Sequence, residues 1–269
     1  MFATSIAGSL PKPEWLAETQ KLWPQWKAEG DALRQAKADA TLLWIKAQED
    51  AGLDIIGDGE QARQHFVHGF LEQVEGIDFE NKVKMGIRNN RYDAMVPQVV
   101  AKLRLKGRVH AMEAQLLRAH TKKKTKFTLP GPMTIVDTVA DRFYGEGQEG
   151  RIAMAMAFAE LLNQEALALQ ADGIDIIQFD EPAFNVYMQD AADWGVRALE
   201  RAAVGMLRTN EAPSATIART VKKRIRAMRM WCWSYYLLRT KPRVTAHSKA
   251  FPARSVQPGE AETKYQIHL

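Results

Sequence analysis

Cysteine is all but missing from this chain: Cys232 stands alone among 269 residues. A single thiol excludes an internal disulfide framework and the stapled secreted scaffolds that depend on one. It fits a reducing cytosol, so a cytoplasmic location is expected. Long apolar runs are missing too. No uninterrupted stretch approaches the ~18 residues that would span a bilayer, and no membrane partner is expected. The N-terminus has no basic segment followed by an apolar core, so no secretory signal is expected. Neither G-x-G-x-x-G nor G-x-x-x-x-G-K-[ST] occurs, which leaves a nucleotide site without positive support.

What is present suffices for a large core: 46% of residues are hydrophobic, in a length common for one barrel domain. Charge is unevenly placed. Residues 206–269 hold 13 Lys/Arg against 3 Asp/Glu, whereas residues 1–205 hold 24 against 29. Such asymmetry suits a tail that seeks polyanions. Basic and aromatic clusters are nevertheless common without function, and no nucleic-acid partner is expected.

Two stretches share one grammar. Ala51-Gly-Leu-Asp-Ile-Ile-Gly-Asp-Gly-Glu60 and Ala171-Asp-Gly-Ile-Asp-Ile-Ile-Gln-Phe-Asp-Glu-Pro182 each run from a helix end through a short strand into carboxylates. In a barrel of parallel strands the C-terminal strand ends carry the chemistry, so one acidic site built from both stretches is expected.

The rest of the chain spaces these strands. The apolar spacing of Leu33, Ala36, Ala40, Leu43/Trp44 and Ala47 predicts a helix over 31–51, with Gly52 past its end. Strands are predicted at 2–8, 53–56, 126–129 and 174–179, and helices at 109–120, 148–171 and 190–206. Residues 76–107 break the alternation and read as extra strands over one end, an insertion of the kind that builds substrate loops. Lys122-Lys-Lys124 reads as a solvated helix end. Strands separated by amphipathic helices give an α/β fold with parallel strands.

Four motifs then occur in one order: Ser5-Ile-Ala-Gly-Ser-Leu-Pro11, Asp58-Gly-Glu-Gln-Ala-Arg-Gln-His-Phe66, Leu129-Pro-Gly-Pro-Met-Thr-Ile-Val136 and Phe179-Asp-Glu-Pro-Ala-Phe-Asn-Val-Tyr187. Together they resemble the cobalamin-independent methionine synthase family in its short form, a catalytic barrel only, over roughly residues 2–205. The resemblance implies a TIM (β/α)8-type barrel that transfers a methyl group to the thiol of homocysteine. It implies that Ala7, Gly8 and Ser9 meet the homocysteine carboxylate and that Glu60 and Asp180 hold its ammonium. Glu181 points to the other side of its strand, where a helix-start or ion-pair role is expected.

Two departures qualify the resemblance. Where some members carry a tryptophan that stacks on the pterin, this chain reads Asp137-Thr138. The methyl donor is therefore methyltetrahydrofolate or another carrier, such as a corrinoid protein. The family's zinc, held by one His, two Cys and a Glu, makes the bound thiol a thiolate. No His-x-Cys pair occurs here, so zinc is expected for the family while no metal ligand is assigned in this chain.

The expected architecture is thus an incomplete barrel of about four βα units over 1–206, with a basic and aromatic non-barrel tail over 207–269. That tail reads as frame-shifted sequence, a divergent helical ending or a polyanion-binding patch. Homocysteine S-methyltransferase descent is the leading reading. The alternatives are an inactive barrel fragment with a polyanion-binding tail and a metal-free barrel lyase or hydrolase using paired carboxylates.

Overall fold

The two Asp-Ile-Ile repeats begin alike in space as well as in sequence. Asp54 accepts hydrogen bonds from the Thr4 backbone N–H (2.8 Å) and hydroxyl (2.9 Å). Asp175 accepts from the Thr125 N–H (2.8 Å) and hydroxyl (3.0 Å). Each aspartate clamps the start of its strand to the segment beside it. The computed structural model, which describes residues 3–20, 25–206 and 264–268, shows what these clamps align.

In chain order the elements are α1 (Gly30–Asp50), β1 (Ile55–Gly57), α2 (His68–Leu71), β2 (Val74–Ile87), β3 (Tyr92–Leu105), α3 (Ala111–Ala119), β4 (Lys124–Pro130), α4 (Pro132–Val136) and β5 (Ala140–Asp141). There follow α5 (Gly147–Ala171), β6 (Ile176–Asp180), a 3-10 turn (Pro182–Asn185), α6 (Met188–Asp190), a π turn (Ala191–Gly195), α7 (Val196–Ala202) and β7 (Lys264–His268). β1, β4, β6 and β7 form a parallel sheet in that order, and Ser5 adds a parallel bridge to Ile55. The strand order never doubles back, so the sheet lacks the reversal of a doubly wound fold. β2 and β3 pair as a long antiparallel hairpin, and β5 adds a short rung to it.

The core lies between this sheet and its helices. Ile56, Phe127, Leu129, Ile177 and Phe179 of the strands are fully buried, as are Phe158, Leu162 and Leu169 of α5. By length and mean hydropathy α5 is apolar enough to cross a membrane, although its apolar run is interrupted at Glu160 and Glu165. Half of that window is buried inside the protein, and Glu165 within it accepts the Val109 (3.0 Å) and His110 (2.9 Å) N–H groups. Those are the features of a core helix.

Several expectations shift for physical reasons. Toward its end α1 presents a different face: Leu43 is 57% exposed, while Thr41, Ile45 and Gln48 are buried. Gln48 is held there, because its amide donates to the Gly57 carbonyl (2.8 Å) and accepts from the Gly57 N–H (2.9 Å). The strand expected at 2–8 is reduced to the Ser5 bridge, and the Ile6 carbonyl accepts from Lys126 Nζ instead. Lys124 opens β4 rather than closing a helix, and Lys123 Nζ reaches the Leu53 carbonyl. The helix expected at 190–206 is interrupted by the π turn. There the backbone of Gly195 sits where a Cβ would lie 2.8 Å from the Phe184 ring and 2.9 Å from Met133 Sδ.

The C-terminal stretch was expected to be without pattern and to leave the fourth strand unpaired. Instead Lys264–His268 runs parallel beside β6, with Asp180 in register with His268. Cys232 and the rest of 207–263, including the basic and aromatic run, lie outside the described residues.

Candidate active site

β1 delivers its carboxylates through a strained turn. Gly59 (φ 63°) and Glu60 (φ 58°) both adopt left-handed backbone, which a residue with a Cβ rarely holds without compensation. Asp58 supplies part of it by accepting the Glu60 N–H at 3.2 Å. Its main partner is Arg63, bound through both oxygens at 3.1 and 2.8 Å. Both side chains are buried, and Arg63 also donates to the Thr128 carbonyl (2.6 Å) and lies 4.8 Å from the Phe127 ring centre. Asp58 is therefore a fold residue. Glu60, only 4% exposed, turns the other way and accepts from the Ser9 hydroxyl at 3.1 Å, while its carbonyl accepts from Lys12 Nζ at 3.3 Å.

β6 ends with the same division in the opposite order. Asp180 faces the site, and the next side chain, Glu181, points away as strand alternation requires. Glu181 is fully buried and accepts from the Met133 N–H (2.8 Å), the Thr134 N–H (2.9 Å) and the Thr134 hydroxyl (2.7 Å). It caps the first turn of α4, the helix-start role expected of it. Burial pushes its carboxyl up to about 7, against the pull of the Thr134 and Met133 donors. Gly131 is required beside it, since a Cβ there would lie 2.1 Å from the Glu181 side chain.

The N-terminal segment completes the site. A Cβ on Gly8 would stand 3.5 Å from Glu60 Oε1 and 3.9 Å from Asp180 Oδ2, so the two carboxylates meet at this glycine. The Ala7 carbonyl accepts from Gln178 Nε2 at 2.7 Å, and the same nitrogen donates to Asp180 Oδ1 at 2.7 Å. Lys126 Nζ donates to Gln178 Oε1 (2.8 Å) and the Ser5 hydroxyl (3.2 Å). All five residues singled out from the sequence, Ala7, Gly8, Ser9, Glu60 and Asp180, thus converge on one spot. Lys126 and Gln178 were missed there. Their signal was polarity inside otherwise apolar strands, Lys-Phe-Thr-Leu129 and Ile-Ile-Gln-Phe179.

A cavity of about 520 Å³ opens against the hairpin, lined among others by His65, Phe66, His68, Arg88, Tyr92 and Thr138 and by none of the five residues above. His65 and His68 meet edge to face at 5.4 Å, and burial lowers both imidazoles to about 4, so they are neutral at pH 7. Asp137 holds the hairpin tip down. It accepts from the Arg88 backbone and guanidinium (both 3.3 Å) and from the Tyr187 hydroxyl (2.7 Å), which in turn accepts the Asn89 N–H at 2.6 Å. The residue that stands in place of an aromatic platform is thus an anchor for the cover.

A parallel arc with two acid-bearing strand ends, meeting at a glycine and covered by a hairpin, defines a barrel-type small-molecule site. Residues 2–217 match the family described as the catalytic domain of cobalamin-independent synthase, and the chain belongs to that family. A methionine synthase of Saccharolobus islandicus is 31% identical over 208 residues, covering 77% of this chain and 60% of that protein. One from Sulfolobus acidocaldarius is 28% identical over 76% of this chain and 58% of its own length. Among solved structures, a B12-independent methionine synthase from a Shewanella species in complex with selenomethionine is 49% identical. It superposes with a TM-score of 0.71 over 75% of this chain and 58% of that one. A B12-independent methionine synthase structure from Listeria monocytogenes, described as putative in its source, has 16% identity and a TM-score of 0.58, a likeness of fold alone. This chain spans about 60% of the length of the curated relatives it matches.

Zinc was expected from the family. Among the described residues no group of three or more His, Cys, Asp or Glu is placed to hold a metal ion. Glu60 and Asp180 are the acids nearest the site, and hard carboxylates without thiolate or imidazole partners do not fit a zinc that must activate a thiol. No step is assigned to a metal.

Proposed function

We propose that this chain carries the amino-acid-binding part of a homocysteine S-methyltransferase barrel. The observation that supports it most is the meeting of Glu60 and Asp180 at Gly8. Two carboxylates facing a bare backbone suit an α-ammonium, which is a compact cation with three donors. The Ser9 hydroxyl and the open backbone at Gly8 suit the ligand's carboxylate. In this reading residues 1–206 are the first part of the barrel and residues 207–269 stand where the zinc-bearing part belongs. The chain by itself then binds homocysteine or methionine but does not turn them over.

The cavity against the hairpin takes the methyl donor, with Arg88 available to an anionic portion and Phe66 and Tyr92 to an apolar one. Methyltetrahydrofolate and a methyl-corrinoid protein are distinguished by adding each to the chain and measuring binding. Isothermal titration with L-methionine and L-homocysteine tests the core of the proposal. Saturable binding is expected, weakened at least about tenfold by Asp180→Asn because an ammonium loses its charged acceptor. No binding by the wild-type chain, or equal binding by the variant, refutes it.

A further inference from the structure

Lys126 and Gln178 lie below the two carboxylates, and amino-acid binding as described above does not use them. Lys126 is 2% exposed and Gln178 is fully buried. The ammonium of Lys126 has three acceptors: the Ser5 hydroxyl (3.2 Å), the Ile6 carbonyl and Gln178 Oε1 (2.8 Å). Burial pushes this lysine below its ordinary range, and the Asp180 and Glu60 charges pull it back. An ammonium only donates, so Gln178 must turn its oxygen toward it. The amide's nitrogen end then faces two acceptors at 2.7 Å, the Ala7 carbonyl and Asp180 Oδ1. The other oxygen, Oδ2, is the one near Gly8.

We propose that Lys126 and Gln178 are a positioning relay: Lys126 fixes the Gln178 amide, and the amide holds Asp180 aimed at Gly8 while pinning the Ala7 backbone. β4, β6 and the N-terminal segment at Ser5, Ile6 and Ala7 are joined through these two side chains, so the relay sets the spacing between the ligand's two polar contacts. Lys126 also places one positive charge near the two carboxylates. Resting on the amino-acid reading above, the relay gives the site its preference for an α-ammonium over the same ligand without one.

The test uses the full chain as wild type, Lys126→Met and Gln178→Glu. The second variant is isosteric and keeps an acceptor for Lys126, so it preserves packing while removing the donor to Asp180. Carbon-13 NMR follows the Asp180 carboxyl, assigned by its loss in Asp180→Asn. Its midpoint is expected to move up by about one pH unit in both variants. The preference for L-methionine over 4-(methylthio)butanoate, read by isothermal titration, is expected to fall about tenfold in each. The double variant is expected to fall no further, as residues acting through one path are non-additive. An unmoved Asp180 midpoint in both variants overturns the relay, as does a loss of thermal stability with midpoint and preference intact. If the midpoint moves while the wild-type chain shows no preference for methionine, the relay's hold on Asp180 stands and the amino-acid reading fails.

Discussion

β1 ends in Asp58 and Glu60, β6 in Asp180 and Glu181, and the two pairs divide their work in opposite order. In the first the leading acid is spent on the fold, bound to buried Arg63, and the trailing one faces the site. In the second the leading acid faces the site and the trailing one caps α4. The fold-bearing acids also differ from each other. Asp58 is neutralised by a buried cation, whereas Glu181 is held by neutral donors alone. A buried charge with a counter-charge stays ionised, and one without is pushed toward its neutral form.

The largest effect that bears on this contrast is expected from Asp58→Ala. It strands the buried Arg63 guanidinium, and a loss of about 3–5 kcal/mol is expected in denaturant unfolding. Less than about 1 kcal/mol would show that the pair does not carry the β1 turn. Glu181→Ala comes next. It leaves two buried N–H groups without their acceptor, for about 2–3 kcal/mol, and α4 should lose protection from hydrogen exchange first.

A pH comparison sharpens the same point. Glu181 has its folded pKa raised to about 7, so its contribution is full below the ordinary carboxyl range and is lost as pH rises through 7. The stability difference between wild type and Glu181→Gln should therefore shrink from pH 4.5 to 7.5. A difference independent of pH would mean that Glu181 is ionised throughout. His65 and His68 act in the opposite sense, losing stability as pH falls from 6.5 toward 4, and cancel in that difference. The smallest effect on stability is expected from Glu60→Gln and Asp180→Asn, within about 1 kcal/mol of wild type, since in either variant Lys126 keeps its three hydrogen-bond acceptors and one of the two nearby carboxylates, and no helix cap is lost. Destabilisation comparable to Asp58→Ala would break the division of labour.

Much of this site could be read in the chain before folding. Both acidic strand ends, Gly8-Ser9 and the helix-start role of Glu181 follow from alternation and from the position of carboxylates after Asp-Ile-Ile. Glu60 and Asp180 were assigned as a pair through the family resemblance. Lys126 and Gln178 were passed over because a polar residue in an apolar strand has no stated partner until the neighbouring strands are aligned. α1 shows the same limit. Its apolar spacing announces the helix and, at Leu33, Ala36 and Ala40, the buried face, while toward the helix end Gln48 binds Gly57 and Ile45 is buried where Leu43 is not.

The sequence by itself determined the order of strands and helices and which strand ends carry acid. These depend on residues close in the chain or on side-chain period, and local chemistry is enough for them. Only the tertiary structure decided which partners hold those acids in place. That choice rests on contacts across about fifty residues of chain, Glu181 with Met133 and Thr134, Ser9 with Glu60. It also decided that Lys264–His268 lies beside β6, because a strand of five residues is specified by the edge that receives it.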